Sequence, residues 1–216
     1  MNKSYRMIKE YGEASFVERK SKFISYAAPI YSEEEAIQFL NSIRKKHYDA
    51  THNCYAYIIG ENSSTQRSSD DGEPSGTAGV PILEVLKKED LTNTIIVVTR
   101  YFGGIMLGAG GLIRAYTEGA VRSIAAADII EVKPFAFFTI KADYSYLGKI
   151  QYEATKKNYL IKNVDYAEAV TITMLTPIEQ KEALENDIKN WTLGGASINY
   201  LGNEMLKVDL ISGNPI

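Results

Sequence analysis

The stretch from Thr94 to Tyr116, TIIVVTRYFGGIMLGAGGLIRAY, determines how the first half of the chain folds. It opens with the β-branched run IIVVT, which predicts a buried strand. An apolar helical pattern begins at Leu112, so the order is predicted to be strand, loop and helix. The loop contains most of a glycine cluster: Gly103, Gly104, Gly108, Gly110 and Gly111.

This glycine loop has two interpretations. Glycine tolerates positive φ and close approach of other groups, so the cluster can be a tight turn with close packing between strand and helix. A loop that leads into a helix N-terminus also presents unpaired N–H groups, which suit an anion. Residue types alone leave both interpretations open.

Composition limits the class of protein. A length of 216 residues suits one large domain or two small ones, and the hydrophobic share of 45% is typical of a globular protein. The N-terminus has no apolar signal segment, and no apolar run approaches the roughly 20 residues of a membrane span. Cys54 is the only cysteine, which fits a reducing compartment, so we expect a cytoplasmic protein without a membrane partner. With only His47 and His52 beside it, no metal site is expected.

Charge does not indicate bulk attraction to nucleic acid. The net charge is −3, and residues 1–132 carry 15 Lys and Arg against 17 Asp and Glu. Residues 133–216 carry 9 against 10, so neither half is basic. Binding to RNA would therefore need a local basic patch.

The segment THNCYAYIIG, residues 51–60, predicts a strand that ends at Gly60. Strand alternation places His52 and Cys54 on one face. Residues two apart on a strand are about 7 Å apart, too far for a direct hydrogen bond between nucleophile and base. Cys54 is therefore predicted to be a buried structural residue.

The segment DDGEPSGTAGVP, residues 70–81, is rich in carboxylates, hydroxyls, glycine and proline. It can be a turn in which Asp and Ser satisfy the backbone. Alternatively, its carboxylates bind a cation or take a proton, and its hydroxyls assist. The candidate binding residues of this segment are Asp70, Asp71, Glu73, Ser75 and Thr77.

Two arginines flank the glycine loop. Arg100 ends the predicted strand, and Arg114 falls in the first turn of a helix that is predicted to begin at Leu112. Both are candidates to neutralise an anion or to pair with the carboxylates of residues 70–77. We therefore group them with the five glycines and the acidic loop as one candidate binding site.

A second domain is predicted after Pro134. The patterns indicate the order βαββαβ, the ferredoxin-like arrangement with an antiparallel sheet and helices on one face. In its second helix, Thr176 is predicted as N-cap, with Pro177 at the first position and Glu179 completing a capping box. The predicted class is α+β, with domains at 1–132 and 133–216.

General catalytic motifs are absent from the sequence. The glycine pattern lacks the Gly-Lys-Ser/Thr of a phosphate-binding loop and does not fit GxGxxG. GxSxG, HExxH and calcium-binding loop patterns are also missing. No catalytic residue and no cofactor is therefore assigned.

The strings DDGEPSGTAGVPI (70–82) and VVTRYFGGIMLGAGGLIRAY (97–116), with HNCYAY (52–57) upstream, closely resemble the IMPACT/YigZ family. The resemblance covers nearly the whole chain: an Impact domain followed by the small C-terminal domain of bacterial members. It implies an N-terminal fold like the second domain of RNase PH, GHMP kinases and gyrase, with a left-handed βαβ crossover. It implies a C-terminal domain that resembles domain V of elongation factor G.

The same resemblance implies a link to translation. Eukaryotic members regulate translation initiation under amino-acid stress and carry an N-terminal RWD domain, whereas this chain starts directly at the Impact domain. We expect a non-enzymatic regulator whose Impact domain binds a translation-related protein, the ribosome or RNA. The alternative is an enzyme or a binder of an anionic small ligand, such as a phosphate or nucleotide, that uses the glycine loop and the acidic loop.

Overall fold

The computed structural model describes residues 3–216. Its strands are β1 (Tyr5–Ile8), β2 (Gly12–Glu18), β3 (Ser21–Pro29), β4 (His52–Ile59), β5 (Thr65–Ser69), β6 (Thr94–Tyr101), β7 (Ile129–Ala142), β8 (Leu160–Tyr166), β9 (Val170–Pro177) and β10 (Ser197–Asp209). Its helices are α1 (Glu33–Lys46), α2 (Gly79–Lys88), α3 (Ala109–Ala127), α4 (Tyr144–Lys156) and α5 (Lys181–Trp191). The chain forms two compact units: residues 4–132 with 208–216, and residues 133–207 with Lys3. Within residues 3–216, no helix is long and apolar enough to cross a bilayer.

The first unit is built on a five-stranded sheet with the order β2-β3-β6-β4-β5. Every neighbouring pair in it is antiparallel. Because β3 and β4 both pair with β6, they run parallel to each other, and α1 is the connection between them. The polar segment after Gly60 forms a hairpin, in which β5 pairs with β4.

Strand β6 is the centre of this sheet, and both of its faces are covered. Ile96 and Val98 join the apolar cluster under α2 and α3, whereas Ile95 and Val97 join the cluster under α1. All four side chains have an exposed fraction of 0%. The prediction of a buried strand is therefore confirmed, and the alternation assigns Arg100 to the same face as Val98.

Helix α3 begins at Ala109, three residues before the predicted start at Leu112. Gly110 and Gly111 thus lie in the first helical turn and not in the loop. A Cβ atom at Gly111 would lie 2.9 Å from the Cβ of Leu107, which explains why a small residue is required there. The apolar pattern could not show this, because glycine carries no hydrophobic signal.

The second unit has the strand order β10-β7-β9-β8. Side chains of β7 and β9 share one apolar cluster with Ile150 of α4 and with Ile188 of α5, so both helices cover the same face of the sheet. This is the predicted ferredoxin-like arrangement, and with it the predicted α+β class is confirmed.

The predicted capping box at Thr176 is wrong. Pro177 is the last residue of β9, a short 3-10 turn follows, and α5 begins only at Lys181 without a side-chain cap. The Thr176 hydroxyl donates to the side chain of Gln180, at 3.2 Å, instead of capping a backbone N–H group. The strand continues through these residues because Thr176 and Pro177 pair with β7.

Close packing between β2 and α3 gives a first prediction. A Cβ atom at Gly12 would lie 2.5 Å from the carbonyl oxygen of Ser123 and 2.6 Å from the backbone nitrogen of Ala127. We expect Gly12→Ala to lower the free energy of unfolding by about 1–3 kcal/mol, because backbone atoms must move to admit the methyl group. Urea unfolding followed by circular dichroism measures this.

The matched control is Gly110→Ala in α3. Its Cβ would meet only the Arg114 guanidinium, at an ordinary 3.6 Å. Alanine favours the helix, so a gain of up to about 1 kcal/mol is expected. Equal stability of the two variants would contradict the packing argument.

Candidate functional site

The two motif stretches meet on the face of the sheet that α2 and α3 cover. In the β4–β6 ladder His52 lies directly opposite Arg100, and in the β3–β6 ladder Phe23 lies directly opposite Arg100. The residues 70–77 lie between β5 and α2, which brings the acidic loop to the end of β6 where Arg100 is located. The face predicted to carry His52 and Cys54 is therefore the face that contains the site.

A buried ion pair joins the two stretches. One oxygen of Glu73, Oε1, accepts hydrogen bonds from Arg100 Nη1 and from the Tyr116 hydroxyl, each at 2.7 Å. Arg100 Nη2 donates to the Ser21 hydroxyl at 3.2 Å. Glu73 and Arg100 are only 8% and 5% exposed. Burial, with Cys54 and Glu73 nearby, raises the pKa of Tyr116, so its hydroxyl is a donor.

Asp70 has a structural role. Its carboxylate accepts backbone N–H groups of Gly76, Ala78 and Gly79 at 2.8 to 2.9 Å, and the last two lie at the start of α2. Burial raises the pKa of this carboxylate, but the three backbone donors outweigh burial and hold it below its ordinary value. Asp70 therefore caps α2 and fixes the loop, as the turn interpretation anticipates.

Asp71 ties the loop to β4 and α1. Its Oδ2 accepts the backbone N–H of Asn53 at 2.7 Å, and its Oδ1 pairs with Arg44 Nη2 at 2.7 Å. Its carbonyl oxygen lies 2.8 Å from Nδ1 of His52. The three carboxylates of the loop thus point to different partners, and no group of three or more His, Cys, Asp or Glu within residues 3–216 could hold a metal ion.

A cleft of about 420 Å³ opens beside the ion pair. Pro74, Phe102 and Leu112 contribute apolar surface, and Glu73 and His52 contribute polar atoms. The cleft also reaches the glycine loop and the start of α3. The remaining lining residues are Thr51, Gly72, Arg100, Met106, Leu107, Gly108 and Ala109.

The glycines of the loop serve different purposes. A Cβ atom at Gly103 would collide with the backbone of Lys20 and Ser21, so close packing requires glycine there. Gly104 and Gly108 have φ values of +81° and +71° with open space around them, and Gly108 is the N-cap of α3. Both interpretations of the loop therefore have a structural counterpart, close packing at Gly103 and an open helix start at Gly108.

Arg114 lies apart from the cleft. It lines a second cavity of about 380 Å³ together with Phe16, Glu118 and Arg122. Leu107 and the first turn of α3 border both cavities, so they separate Arg114 from Arg100. Of the hydroxyl residues, Ser75 is exposed, and Thr77 is buried with its hydroxyl donating to the carbonyl of Pro74 at 2.6 Å.

Cys54 is fully buried, as predicted, and its thiol donates to the carbonyl of Asp70 at 2.9 Å. Burial raises the pKa of this thiol, and the neighbouring carboxylates add to the effect. A thiol held in its neutral form is a poor nucleophile. Cys54 therefore contributes packing below the acidic loop.

The candidate residues chosen from the sequence did not include His52 or Tyr116, although both contact Glu73. Strand alternation in residues 51–60 places His52 on the same face as Cys54. This pattern is the sequence signal that could have identified His52 as a site residue. Tyr116 belongs to the apolar face of α3, where its ring is fully buried against Phe23. A tyrosine on such a face gives no sequence signal for a polar contact.

The cap formed by Asp70 gives a second prediction. We expect Asp70→Asn to lower the free energy of unfolding at pH 7 by about 1–2 kcal/mol, because an amide nitrogen replaces one of the accepting oxygens and the negative charge is lost. The pKa of Asp70 is lowered in the folded protein, so its stabilisation is complete above the ordinary value of 3.8 and is lost as the pH falls through the folded value.

The difference between wild type and Asp70→Asn should therefore shrink when urea unfolding is repeated below about pH 4. Asp90→Asn is the control, because Asp90 is exposed and its φ of +54° suits asparagine. Its effect should stay within about 0.5 kcal/mol. A difference that stays constant across this pH range would exclude the carboxylate as its source.

Comparisons with known proteins agree with this architecture. The Impact N-terminal domain family matches residues 19–124, and Domain of unknown function (DUF1949) matches residues 140–194. The IMPACT family member YvyE of Bacillus subtilis (strain 168) is 48% identical over 188 residues, which cover 87% of this chain and 85% of that protein.

Two solved structures are also similar. A crystal structure of an hypothetical protein is 29% identical, with a TM-score of 0.59 over 92% of this chain and 98% of that chain. The two-domain translational regulator Yih1 is 29% identical, with a TM-score of 0.40 over 55% of this chain and 47% of that chain. From the family match and the identity to YvyE, the chain belongs to the IMPACT family.

Proposed function

We propose that this protein is a non-enzymatic regulator linked to translation, and that its Impact domain binds a partner protein at the cleft between the acidic loop and the glycine loop. The observation that supports this proposal is the composition of the cleft. Its charged groups, Glu73 and Arg100, are buried and paired with each other, while its entrance is apolar. Such a surface suits recognition better than chemistry.

The two buried nucleophilic side chains next to the cleft, Cys54 and Ser21, are engaged in structure. The Cys54 thiol is buried in its neutral form. Ser21 is buried and accepts from Arg100 and from the backbone N–H of Gly103. Catalysis by an activated nucleophile needs a neighbouring base with access to substrate, and neither residue offers that arrangement.

The entrance of the cleft favours a protein partner. Phe102 is 50% exposed and Met106 is 84% exposed, and both lie on the glycine loop and line the cleft. Aromatic side chains and methionine are enriched at protein interfaces. Exposed apolar side chains around a concave site are costly in water, and burial against a partner removes that cost.

The link to translation rests on family membership. The resemblance described above implies that eukaryotic members regulate translation initiation, and this chain shares the Impact domain with them. A translation-related protein is therefore the partner class that we propose. RNA is a weaker candidate, because the Arg100 charge at the cleft is already neutralised by Glu73 and the chain carries a net charge of −3.

The same charges argue against the alternative of a phosphate or nucleotide ligand. Arg100 pairs with Glu73, and Arg114 lines the separate cavity, so the two arginines do not converge on one anion. The uncapped start of α3 at Gly108 is the feature that favours this alternative. A thermal-shift screen of nucleotides and phosphorylated metabolites, with and without Mg²⁺, tests it, since a ligand at 100 times its Kd stabilises by about 2.7 kcal/mol.

The third prediction concerns partner capture. Tagged full-length wild type, Met106→Glu and Tyr48→Glu are used to capture proteins from a bacterial lysate treated with ribonuclease, and mass spectrometry identifies them. We expect wild type to retain one or more translation factors or ribosomal proteins, and Met106→Glu to retain at least roughly tenfold less, because a charge is forced into an apolar interface.

Tyr48→Glu is the matched control. Tyr48 is 87% exposed, close to the value for Met106, lies in the same unit and does not line the cleft. It should capture the same proteins as wild type. The proposal fails if wild type captures no protein of the translation machinery, or if Met106→Glu and Tyr48→Glu behave alike.

A further inference from the structure

The hydrogen bond between His52 and the carbonyl oxygen of Asp71 determines which ring nitrogen carries the proton. Nδ1 lies 2.8 Å from the carbonyl oxygen of Asp71, and a carbonyl oxygen can only accept. Nδ1 therefore carries the proton. In the neutral ring Nε2 then holds a lone pair and needs a donor.

Glu73 provides a second acceptor beside it. Its Oε1 is used by Arg100 and Tyr116, but Oε2 lies 3.8 Å from Nε2 of His52, which is too long for a hydrogen bond. No residue in 3–216 donates a hydrogen bond to Oε2. With His52 in its neutral tautomer, two acceptors face each other across this gap in the wall of the cleft, and one N–H or O–H group beside both can share its hydrogen between them.

The charge around this gap is balanced. Arg100 neutralises Glu73 in the buried ion pair. The rest of the cleft is mainly apolar, with Leu107 and Leu112 among the side chains that line it. A charged ligand would lose hydration there without gaining a free counter-charge, and an anion would also meet two lone pairs. The site is therefore complementary to a neutral group with a hydrogen-bond donor on an apolar body.

We propose that the cleft receives one aromatic side chain of the partner protein that carries a donor, a tryptophan or a tyrosine, whose N–H or O–H group shares its hydrogen between Glu73 Oε2 and His52 Nε2. This proposal rests on the proposed function of protein binding and specifies its anchor. A volume of about 420 Å³ can hold one such side chain. The half-exposed ring of Phe102 at the entrance offers a face or edge for aromatic contact.

Small amides of single amino acids test this without knowledge of the partner. N-acetyl-tryptophanamide, N-acetyl-tyrosinamide and N-acetyl-phenylalaninamide are titrated into the full-length protein, and ¹H–¹⁵N spectra report the Kd and the residues that shift. Phenylalanine lacks the donor but keeps an aromatic ring. We expect the tryptophan or the tyrosine amide to bind about tenfold more tightly than the phenylalanine amide, with shifts at residues of the cleft.

Two variants identify the source of the preference. His52→Phe keeps a ring but removes the acceptor, and should reduce the preference of tryptophan or tyrosine over phenylalanine to less than about threefold. Tyr48→Glu, outside the cleft, should keep it. The ¹H–¹⁵N spectrum of each variant shows whether the fold is retained, and if His52→Phe unfolds, the wild-type preference alone decides.

The proposal is wrong if the three amides bind wild type equally or if their shifts map outside the cleft. It is also wrong if no amide binds at concentrations up to about 10 mM, since a Kd of that size corresponds to a binding free energy of only about 3 kcal/mol. Binding of inorganic phosphate to the cleft, measured in the same way, would also overturn it. These outcomes are independent of partner capture. If Met106→Glu loses partner capture but wild type shows no preference among the three amides, the proposed function stands and the aromatic anchor is rejected.

Discussion

The ion pair between Glu73 and Arg100 is the interaction on which the arrangement of the site depends. It joins a loop to the central strand of the first sheet, at side-chain exposures of only 3% and 6%. Two charges removed from water must be paired, and loss of one partner of such a pair costs about 3–5 kcal/mol. Movement of the loop away from the end of β6 would therefore leave a buried charge unpaired. The Tyr116 hydroxyl ties the same carboxylate to α3, so strand, loop and helix share one carboxylate oxygen.

The remaining acidic residues of the loop show why a cluster of carboxylates in sequence is not a cluster in space. Asp70 points to the backbone at the start of α2, and Asp71 points to β4 and to Arg44 of α1. Each charge is satisfied by donors from a different element. Repulsion between the carboxylates is reduced, because the turn directs the three side chains toward different donors. Glu73 is the acidic side chain of this loop that lines the cleft.

Sequence reasoning reached the elements of this fold but only part of the site. The β-branched run predicted β6, and alternation predicted the face of His52, because both signals are local. The capping box at Thr176 and the start of α3 differ from the sequence-based prediction. Pairing with β7 extends β9 through Thr176 and Pro177, and the first turn of α3 contains glycines that carry no hydrophobic signal. The pairing of Arg100 with Glu73, 27 residues apart, depends on tertiary structure. Arg114 and Arg100 line two different cavities, and the sequence does not show on which side of α3 each cavity lies.

A buried ion pair is seldom the most stabilising way to fill a core, because apolar side chains of similar volume often do better. Its presence here therefore needs another reason. The pair holds Glu73 with one oxygen fully bonded and directs the other toward His52, whose own orientation is fixed by the Asp71 carbonyl. A carboxylate oxygen without a donor in an apolar cleft costs stability in the free protein, and the donor of the proposed partner would offset that cost. The ion pair thus sets the orientation of Glu73 at the proposed recognition surface.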